Sequence, residues 1–128
     1  NALSAATHVV IPIESGSQYG LYGVSDLIQH IQKLKRINPS LELLGAILIR
    51  HDPRLTVSRL IKESAEELLG ELIPVSIPVS TKANQAVILK QSISTLDAKS
   101  KIARAFQALA EFVETKLDLG QRDDAEEV

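Results

Sequence analysis

Residues 8–34 read HVVIPIESGSQYGLYGVSDLIQHIQKL and contain, in succession, an apolar run, a glycine-rich stretch and a periodic stretch. The run His8–Ile13 is typical of a strand buried on both faces, because its apolar residues do not alternate with polar ones. From Val24 onward, apolar residues recur every three or four positions, the spacing of an amphipathic helix: Leu27, Ile28, Ile31 and Leu34. This stretch therefore predicts a strand, a loop and a helix in that order.

The same order repeats twice along the chain. A second apolar run, Leu43–Ile49, precedes a helical stripe that ends at Gly70: Val57, Leu60, Ile61, Ala65, Leu68 and Leu69. A third run, Leu72–Pro78, precedes a weaker helical stretch at Gln85–Lys90 and then a last helix with one apolar face: Ile102, Phe106, Leu109, Val113 and Leu117. Alternating strands and helices predict an α/β fold, a doubly wound parallel sheet with helices on both faces and ligands at the carboxyl ends of its strands.

Composition indicates one soluble domain, or part of one, in a chain of 128 residues with no cysteine and a net charge of −2. The charge is uneven, because the segment 118–128 carries one arginine against five carboxylates and sums to −4, which leaves +2 for residues 1–117. We therefore expect a folded part at 1–117 and an acidic, disordered tail at 118–128. The absence of methionine and the uncapped opening residues predict that the chain is a fragment. No membrane span or secretion signal is expected, and a reducing cytoplasm is the natural setting.

The glycines after the first strand do not form a known phosphate motif. Gly16, Gly20 and Gly23 lack the dinucleotide-binding spacing, and the first lysine after them, Lys33, is deep in the next predicted helix. No G-x-S-x-G sequence occurs, and the three histidines lack metal-ligand spacing. The residues alone therefore predict a strand-to-helix turn here and assign no catalytic residue and no metal site, while a Ser-His-Asp triad stays an open alternative.

Two groups of cations differ in their relation to the helix dipole. Lys33, Lys35 and Arg36 lie at a helix end, where the negative pole favours them. Lys99, Lys101 and Arg104 lie near the start of the last helix, where the dipole does not favour them, which leaves a phosphate-contacting role and a solvated face as equal alternatives. Arg54 and Lys82 lie in loops at the expected carboxyl edge of the sheet, where they are placed to meet an anion.

Three stretches, taken in order, resemble the carboxy-terminal half of the ParA/Soj-type partition ATPases, the deviant-Walker relatives of MinD. They are NALSAATHVVIPI, LIQHIQKLKRINPSLELLGAILIRHDPR and IPVSTKANQAVILKQSISTLDAKSKIARAFQALAEF. The resemblance extends over roughly residues 1–113 and implies the P-loop NTPase-like version of the doubly wound fold. In the family, the phosphate loop lies upstream of the residues that match, so the chain alone is expected to be inactive as an ATPase.

The resemblance also implies function and partners for the intact protein. These are ATP and Mg²⁺ as cofactors, homodimerisation with bound nucleotide, DNA binding without sequence preference, and a centromere-binding ParB-like partner. The resemblance further implies a nucleoid-associated cytoplasmic protein that acts in plasmid or chromosome partition and does not bind membranes. The alternatives are a truncated, non-catalytic regulatory or binding module, and a ParA-like protein that positions a protein cargo.

Site residues follow from the matching positions. The family's adenine contacts map to Arg50, Asp52, Pro78 and Val79. Its DNA contacts map to Arg54 and Lys82. The cations near the start of the last helix, Lys99, Lys101 and Arg104, are added as further candidate DNA contacts. A structural role for Asp52, as a helix N-cap or a turn residue, has equal weight.

Overall fold

The computed structural model of the chain describes residues 1–70 and 72–117. Its strands are β1 (His8–Glu14), β2 (Glu42–His51) and β3 (Ser76–Pro78), and its helices are α1 (Ala2–Ala5), α2 (Val24–Leu34), α3 (Thr56–Leu69), α4 (Thr81–Leu89), α5 (Ile93–Leu96) and α6 (Lys101–Leu117). The chain divides into two compact units at the boundary between Ser76 and Ile77. The predicted acidic tail at 118–128 lies outside the described residues.

The three strands form one sheet in the order β1-β2-β3, and β1 pairs with β2 in parallel from His8 opposite Glu42 to Glu14 opposite Ile49. This sheet confirms the predicted α/β class. The third strand is shorter than the predicted Leu72–Pro78, since β3 begins only at Ser76. Proline has no N–H to donate to a strand ladder, so Pro74 accounts for the late start.

The pairing of β1 with β2 slips by one residue near its beginning. Val9 faces Leu43 but Val10 faces Gly45, so Leu44 is the extra residue of a β-bulge. Gly45 adopts φ +143°, and a Cβ there would lie 3.1 Å from Cγ1 of Ile73. Only glycine suits both the backbone conformation and this close contact.

The core of the first unit lies between the sheet and helices α2 and α3. It combines buried side chains from each of these elements and from the turn before β2: Ile11, Ile13, Val24, Ile31, Leu41, Ala46, Leu48, Ile61 and Ala65. Fully burying an aliphatic side chain contributes about 1.5–3 kcal/mol, so this cluster holds the unit together.

Two helical stripes differ from those predicted. On α3, the buried line runs through Ser58, Ile61 and Ala65, whereas Leu60 is 56% exposed because it points about 100° away from Ile61. On α6, Ile102 is buried as expected, but Phe106 is 45% exposed. In both cases the prediction placed an apolar residue in the core because of its spacing alone, although apolar residues also occur at the surface.

The second unit contains the three helices α4 to α6. Helix α4 is longer than the predicted Gln85–Lys90, because Ser80 caps its start by accepting a hydrogen bond from the backbone N–H of Lys82 at 3.1 Å. The one-turn helix α5 was not predicted from the sequence, and Ser92 caps it in the same way by accepting from the N–H of Thr95. Within the described residues, no helix is both long and apolar enough to cross a membrane.

Candidate functional site

The carboxyl ends of β1 and β2 are joined by a polar pair formed by a buried serine and a partly buried histidine. The backbone N–H of Ser15 donates to the carbonyl of Ile49 at 3.1 Å, and the Ser15 hydroxyl lies 2.8 Å from Nδ1 of His51. Ser15 is 0% exposed. A hydroxyl both donates and accepts, so it satisfies the ring nitrogen in either tautomer of the neutral imidazole. The pair therefore connects the residue that follows β1 to the last residue of β2, 36 positions away in sequence.

The surroundings of His51 favour its neutral form. Burial, followed by the positive charge of Lys62, lowers the pKa of His51, and the nearby carboxylate of Asp52 opposes this shift. Ser15 and His51 do not form a nucleophilic site, because the wholly buried hydroxyl has no access to a substrate. The pair instead fixes the geometry of the sheet edge.

The loop after β1 folds back tightly on the end of its own strand. A Cβ added at Gly20 would lie 2.0 Å from the carbonyl oxygen of Glu14, so only glycine allows this approach. The backbone N–H groups of Gly20 and Tyr22 donate to the carbonyls of Ser17 and Tyr19, respectively. The close approach of the backbone thus explains why position 20 needs glycine, in agreement with the prediction of a turn.

Arg50, the penultimate residue of β2, has an unusual backbone conformation. Its φ is +50°, which is uncommon for a residue other than glycine, and its Nε lies 3.6 Å from Oε1 of Glu14. Such conformations cost free energy and cluster at functional sites, where the surrounding structure maintains them. The strained residue at the carboxyl end of β2 is one of the four predicted nucleotide contacts.

Asp52 and Arg54 form a closed ion pair in the loop before α3. Oδ1 of Asp52 accepts from both the backbone N–H and the Nε of Arg54, and Oδ2 accepts from Nη2 at 2.8 Å. These side-chain and backbone hydrogen bonds from Arg54 lower the pKa of Asp52 to about 2. Asp52 thus lies in a turn, and the N-cap position of α3 belongs to Leu55. The nucleotide contact of Asp52 stays a prediction.

The remaining predicted loop residues lie in the second unit. Pro78 ends β3, Val79 follows it, and Lys82 lies in the first turn of α4. The ammonium group of Lys82 is 3.5 Å from Oδ2 of Asp97, and Oδ1 of the same carboxylate accepts from the backbone N–H of Lys99. Asp97 therefore brings two of the predicted DNA-contacting lysines into one neighbourhood.

The basic cluster, defined as Lys99, Lys101 and Arg104, lies at the beginning of α6. All three residues are exposed, and no carboxylate among the described residues lies within 4 Å of their charged groups. Lys101 and Arg104 are three residues apart in the helix, so they share one face. The N–H of Ala103 is already capped by Ser100. The cluster is thus a set of uncompensated surface charges.

The first unit also contains an open cavity of about 570 Å³ that includes none of the predicted site residues. It is lined by residues of β2, α3 and the segment leading into β3: Leu48, Lys62, Glu66, Gly70, Leu72, Ile73, Pro74 and Ser76. Among the described residues, no three His, Asp or Glu side chains are grouped closely enough to hold a metal ion. The cavity and the predicted site residues are therefore separate features.

Comparison of the sequence with known proteins gives partition ATPases as relatives. The chain is 30% identical over 115 residues to the chromosome-partitioning ATPase Soj of Thermus thermophilus, which covers 88% of the chain and 46% of Soj. It is 25% identical over 112 residues to the chromosome partitioning protein ParA of Caulobacter vibrioides, covering 86% of the chain and 42% of ParA. The resemblance to ParA/Soj-type ATPases is confirmed. No family model matches the chain.

Solved structures share the fold of the chain. Apo McdA of Cyanthece superposes with a TM-score of 0.73 at 21% identity, over 87% of the chain and 46% of McdA, which shows the shared fold. Cobyrinic acid a,c-diamide synthase of Mycobacterium smegmatis, with bound ADP and magnesium, superposes with a TM-score of 0.66 at 29% identity, over 87% of the chain and 38% of the synthase. The chain thus spans less than half the length of these ParA/Soj-type and structural relatives.

The structure groups the predicted residues by unit. Arg50, Asp52 and Arg54 lie within five consecutive residues of the first unit, and Pro78, Val79 and Lys82 lie within five consecutive residues of the second. Their assigned roles stay predictions. The Ser15–His51 pair was missed, although one signal for it existed, because each residue lies two positions after the apolar run of its own predicted strand.

Proposed function

We propose that the chain is part of a ParA-like ATPase that acts in plasmid or chromosome partition. The observation that carries the proposal is the 30% identity to Soj over 88% of the chain. The similarity extends through both units, since 115 aligned residues exceed the length of either unit. The intact protein is a cytoplasmic, nucleoid-associated homodimer that responds to a ParB-like partner.

ATP and Mg²⁺ are the proposed cofactors of the intact protein. The bound ADP and magnesium in the similar synthase structure support this proposal. Arg50, Asp52, Pro78 and Val79 are the proposed nucleotide contacts, and the strained φ of Arg50 is consistent with such a role. The 128 residues carry no Walker-type motif, so turnover requires phosphate-binding residues outside them.

DNA is the proposed partner of the basic cluster. Cations at the start of a helix are disfavoured by the dipole by about 0.3–1 kcal/mol each, so a cluster there is more easily explained by an anionic ligand than by helix stability. Arg54 and Lys82 are weaker candidates, because each already has a carboxylate partner. Phosphate contacts from such cations depend on salt and not on sequence, as expected for a protein that binds the nucleoid.

Salt-dependent DNA binding by the intact protein tests this assignment. We expect Lys101→Gln/Arg104→Gln to reduce the slope of log affinity against log salt by about 2, because two phosphate contacts are lost. Arg54→Gln/Lys82→Gln should change the slope less. The matched control is Lys35→Gln/Arg36→Gln, which removes two exposed cations at the favourable end of α2. Equal slopes in all variants would contradict the DNA role of the basic cluster.

ATP turnover distinguishes the ATPase from the non-catalytic module. We expect the intact protein to hydrolyse ATP when DNA and its partner are present, and the 128-residue chain to show no turnover. The sequence motif lysine-glycine-glycine-x-glycine-lysine-threonine upstream of these residues would be the corresponding genetic signature. An intact protein that binds DNA without turnover or this motif would instead be a regulatory module.

A further inference from the structure

The basic cluster and the segment 118–128 carry opposite charge in the same unit. In the described part of that unit, six cations stand against three carboxylates: Lys82, Lys90, Lys99, Lys101, Arg104 and Lys116 against Asp97, Glu111 and Glu114. The segment 118–128 sums to −4, and four of its carboxylates fall at 123–127. Opposite charges of this density attract one another at moderate salt.

We propose that the acidic segment 118–128 docks on the basic cluster and competes with nucleic-acid phosphates for it. The docking itself follows from charge and reach, whereas the competition rests on the DNA binding proposed above. The occupant is a segment of the same chain, so its local concentration near the cluster is high without any need for tight binding.

The lengths of the helix and of the segment allow this contact. Helix α6 rises about 1.5 Å per residue, so Lys101 and Arg104 lie roughly 24 Å and 20 Å from Leu117. An extended chain covers at most about 3.3–3.6 Å per residue, so the six to ten residues from Leu117 to Asp123 and Glu127 reach about 20–35 Å. The carboxylates at 123–127 therefore reach the first turn of α6, whereas Asp118 does not.

The state of the cluster makes it a suitable place for this segment. Lys82 is already paired with Asp97, and Arg54 with Asp52, so neither is a free cation for a new carboxylate. The charged groups of Lys101 and Arg104 have no such partner among the described residues, and the two side chains share one helix face. Docking would compensate charges that the described residues leave unpaired.

A spin label tests the contact without any ligand. The sequence has no cysteine, so Ala125→Cys provides a unique attachment site in the full chain. At low salt, we expect broadening of the amide signals of residues 99–104, and its loss at about 0.5 M NaCl, where screening is strong. Lys101→Gln/Arg104→Gln should also remove it. Absence of broadening at low salt, or broadening spread evenly over the chain, would overturn the docking.

DNA affinity tests the competition. Neutralising the segment with Asp123→Asn, Asp124→Asn, Glu126→Gln and Glu127→Gln should raise low-salt affinity for duplex DNA by roughly three- to tenfold, as expected when two or three surface ion pairs are lost. The control Asp26→Asn, Glu63→Gln, Glu66→Gln and Glu67→Gln removes the same charge from exposed residues of the first unit. An equal gain in both variants, or none in either, would overturn the competition.

The two experiments separate failure of this inference from failure of the proposed function. Selective broadening in a chain that binds no DNA would support the docking and contradict the DNA role. DNA binding that is insensitive to neutralisation of the segment, together with no broadening, would leave the DNA role intact and overturn the inference.

Discussion

The sheet edge of the first unit and the basic cluster of the second unit differ in whether their polar groups have partners. At the sheet edge, Ser15 and His51 bind each other, and Asp52 holds Arg54 through three hydrogen bonds. In the basic cluster, Lys101 and Arg104 have no carboxylate within 4 Å among the described residues. The polar groups of the sheet edge bind one another and fix its geometry, whereas the charges of the basic cluster stay available to a ligand.

This difference separates the expected effects of mutation. Substitutions at the sheet edge should lower the free energy of unfolding, because buried or close-packed groups lose their partners. Substitutions in the basic cluster should change binding and leave folding almost unaffected, because exposed charges contribute little to stability. The following four predictions test the sheet-edge half of the comparison, from the largest expected effect to the smallest.

Gly20→Ala should be the most disruptive of these changes. Its Cβ would meet the carbonyl oxygen of Glu14 at 2.0 Å, so the loop or the strand end must move, at a cost of about 2–4 kcal/mol in the free energy of unfolding. Urea denaturation measures this loss. Gly16→Ala is the control in the same loop, because its Cβ would lie 3.2 Å from the carbonyl oxygen of Arg50. A Gly20→Ala variant no less stable than Gly16→Ala would refute the close approach.

Two fully buried serines allow a matched test of the polar pair. Ser15→Ala leaves Nδ1 of His51 without its partner and should lower the free energy of unfolding by about 1–2 kcal/mol. Ser58 is equally buried, but its hydroxyl has no hydrogen-bond partner among the described residues, so Ser58→Ala should be neutral or stabilising. Equal losses from both substitutions, measured by chemical denaturation, would mean that the bond to His51 contributes nothing specific.

The pH dependence of stability should identify His51. Its pKa is lowered in the folded protein, so the folded state binds this proton more weakly than the unfolded state does. The resulting stability is complete above the unfolded-state pKa of about 6.5 and is lost as the pH falls through the lower folded-state pKa. Denaturation curves between pH 5 and pH 8 measure this slope, and His51→Gln should flatten it. An unchanged slope in that variant would assign it to another group.

The ion pair before α3 should have a clear effect on titration and a small effect on stability. NMR titration of the intact pair should give Asp52 a pKa of about 2, and Arg54→Gln should raise it towards the ordinary aspartate value of 3.8. Arg59→Gln, an exposed cation on α3, serves as the control and should leave the pKa of Asp52 unchanged. An Asp52 pKa that is insensitive to Arg54→Gln would show that the pair is open in solution.

Local patterns in the sequence predict much of the fold. The apolar runs at His8–Ile13 and Leu43–Ile49 became β1 and β2, and the 3.6-residue period with Gly70 as a stop gave α3 almost to the residue. Such signals are local, because burial on both faces of a strand, or on one face of a helix, determines the spacing of apolar residues along the sequence. Helix α5 was not predicted, since four residues are too few to establish a period.

The burial of individual side chains and the candidate site were less predictable, for a physical reason. Leu60 and Phe106 have the right spacing for a core position, yet their exposure depends on which neighbours pack against each helix. The Ser15–His51 bond depends on the register between two strands, which composition does not determine. By contrast, the basic cluster was located correctly at the start of α6, because helix position and charge are both local properties.

The bulge at Leu44 has a consequence for how this segment tolerates changes in chain length. It separates the pairing of Val9 with Leu43 from the pairing that begins at Val10 and Gly45. An insertion or deletion in the turn at 38–41 need shift only the two pairs on the amino side of the bulge. The alignment that brings Ser15 to His51 lies on the other side and is set independently of the turn. Homologues with turns of different length could therefore keep the same sheet edge.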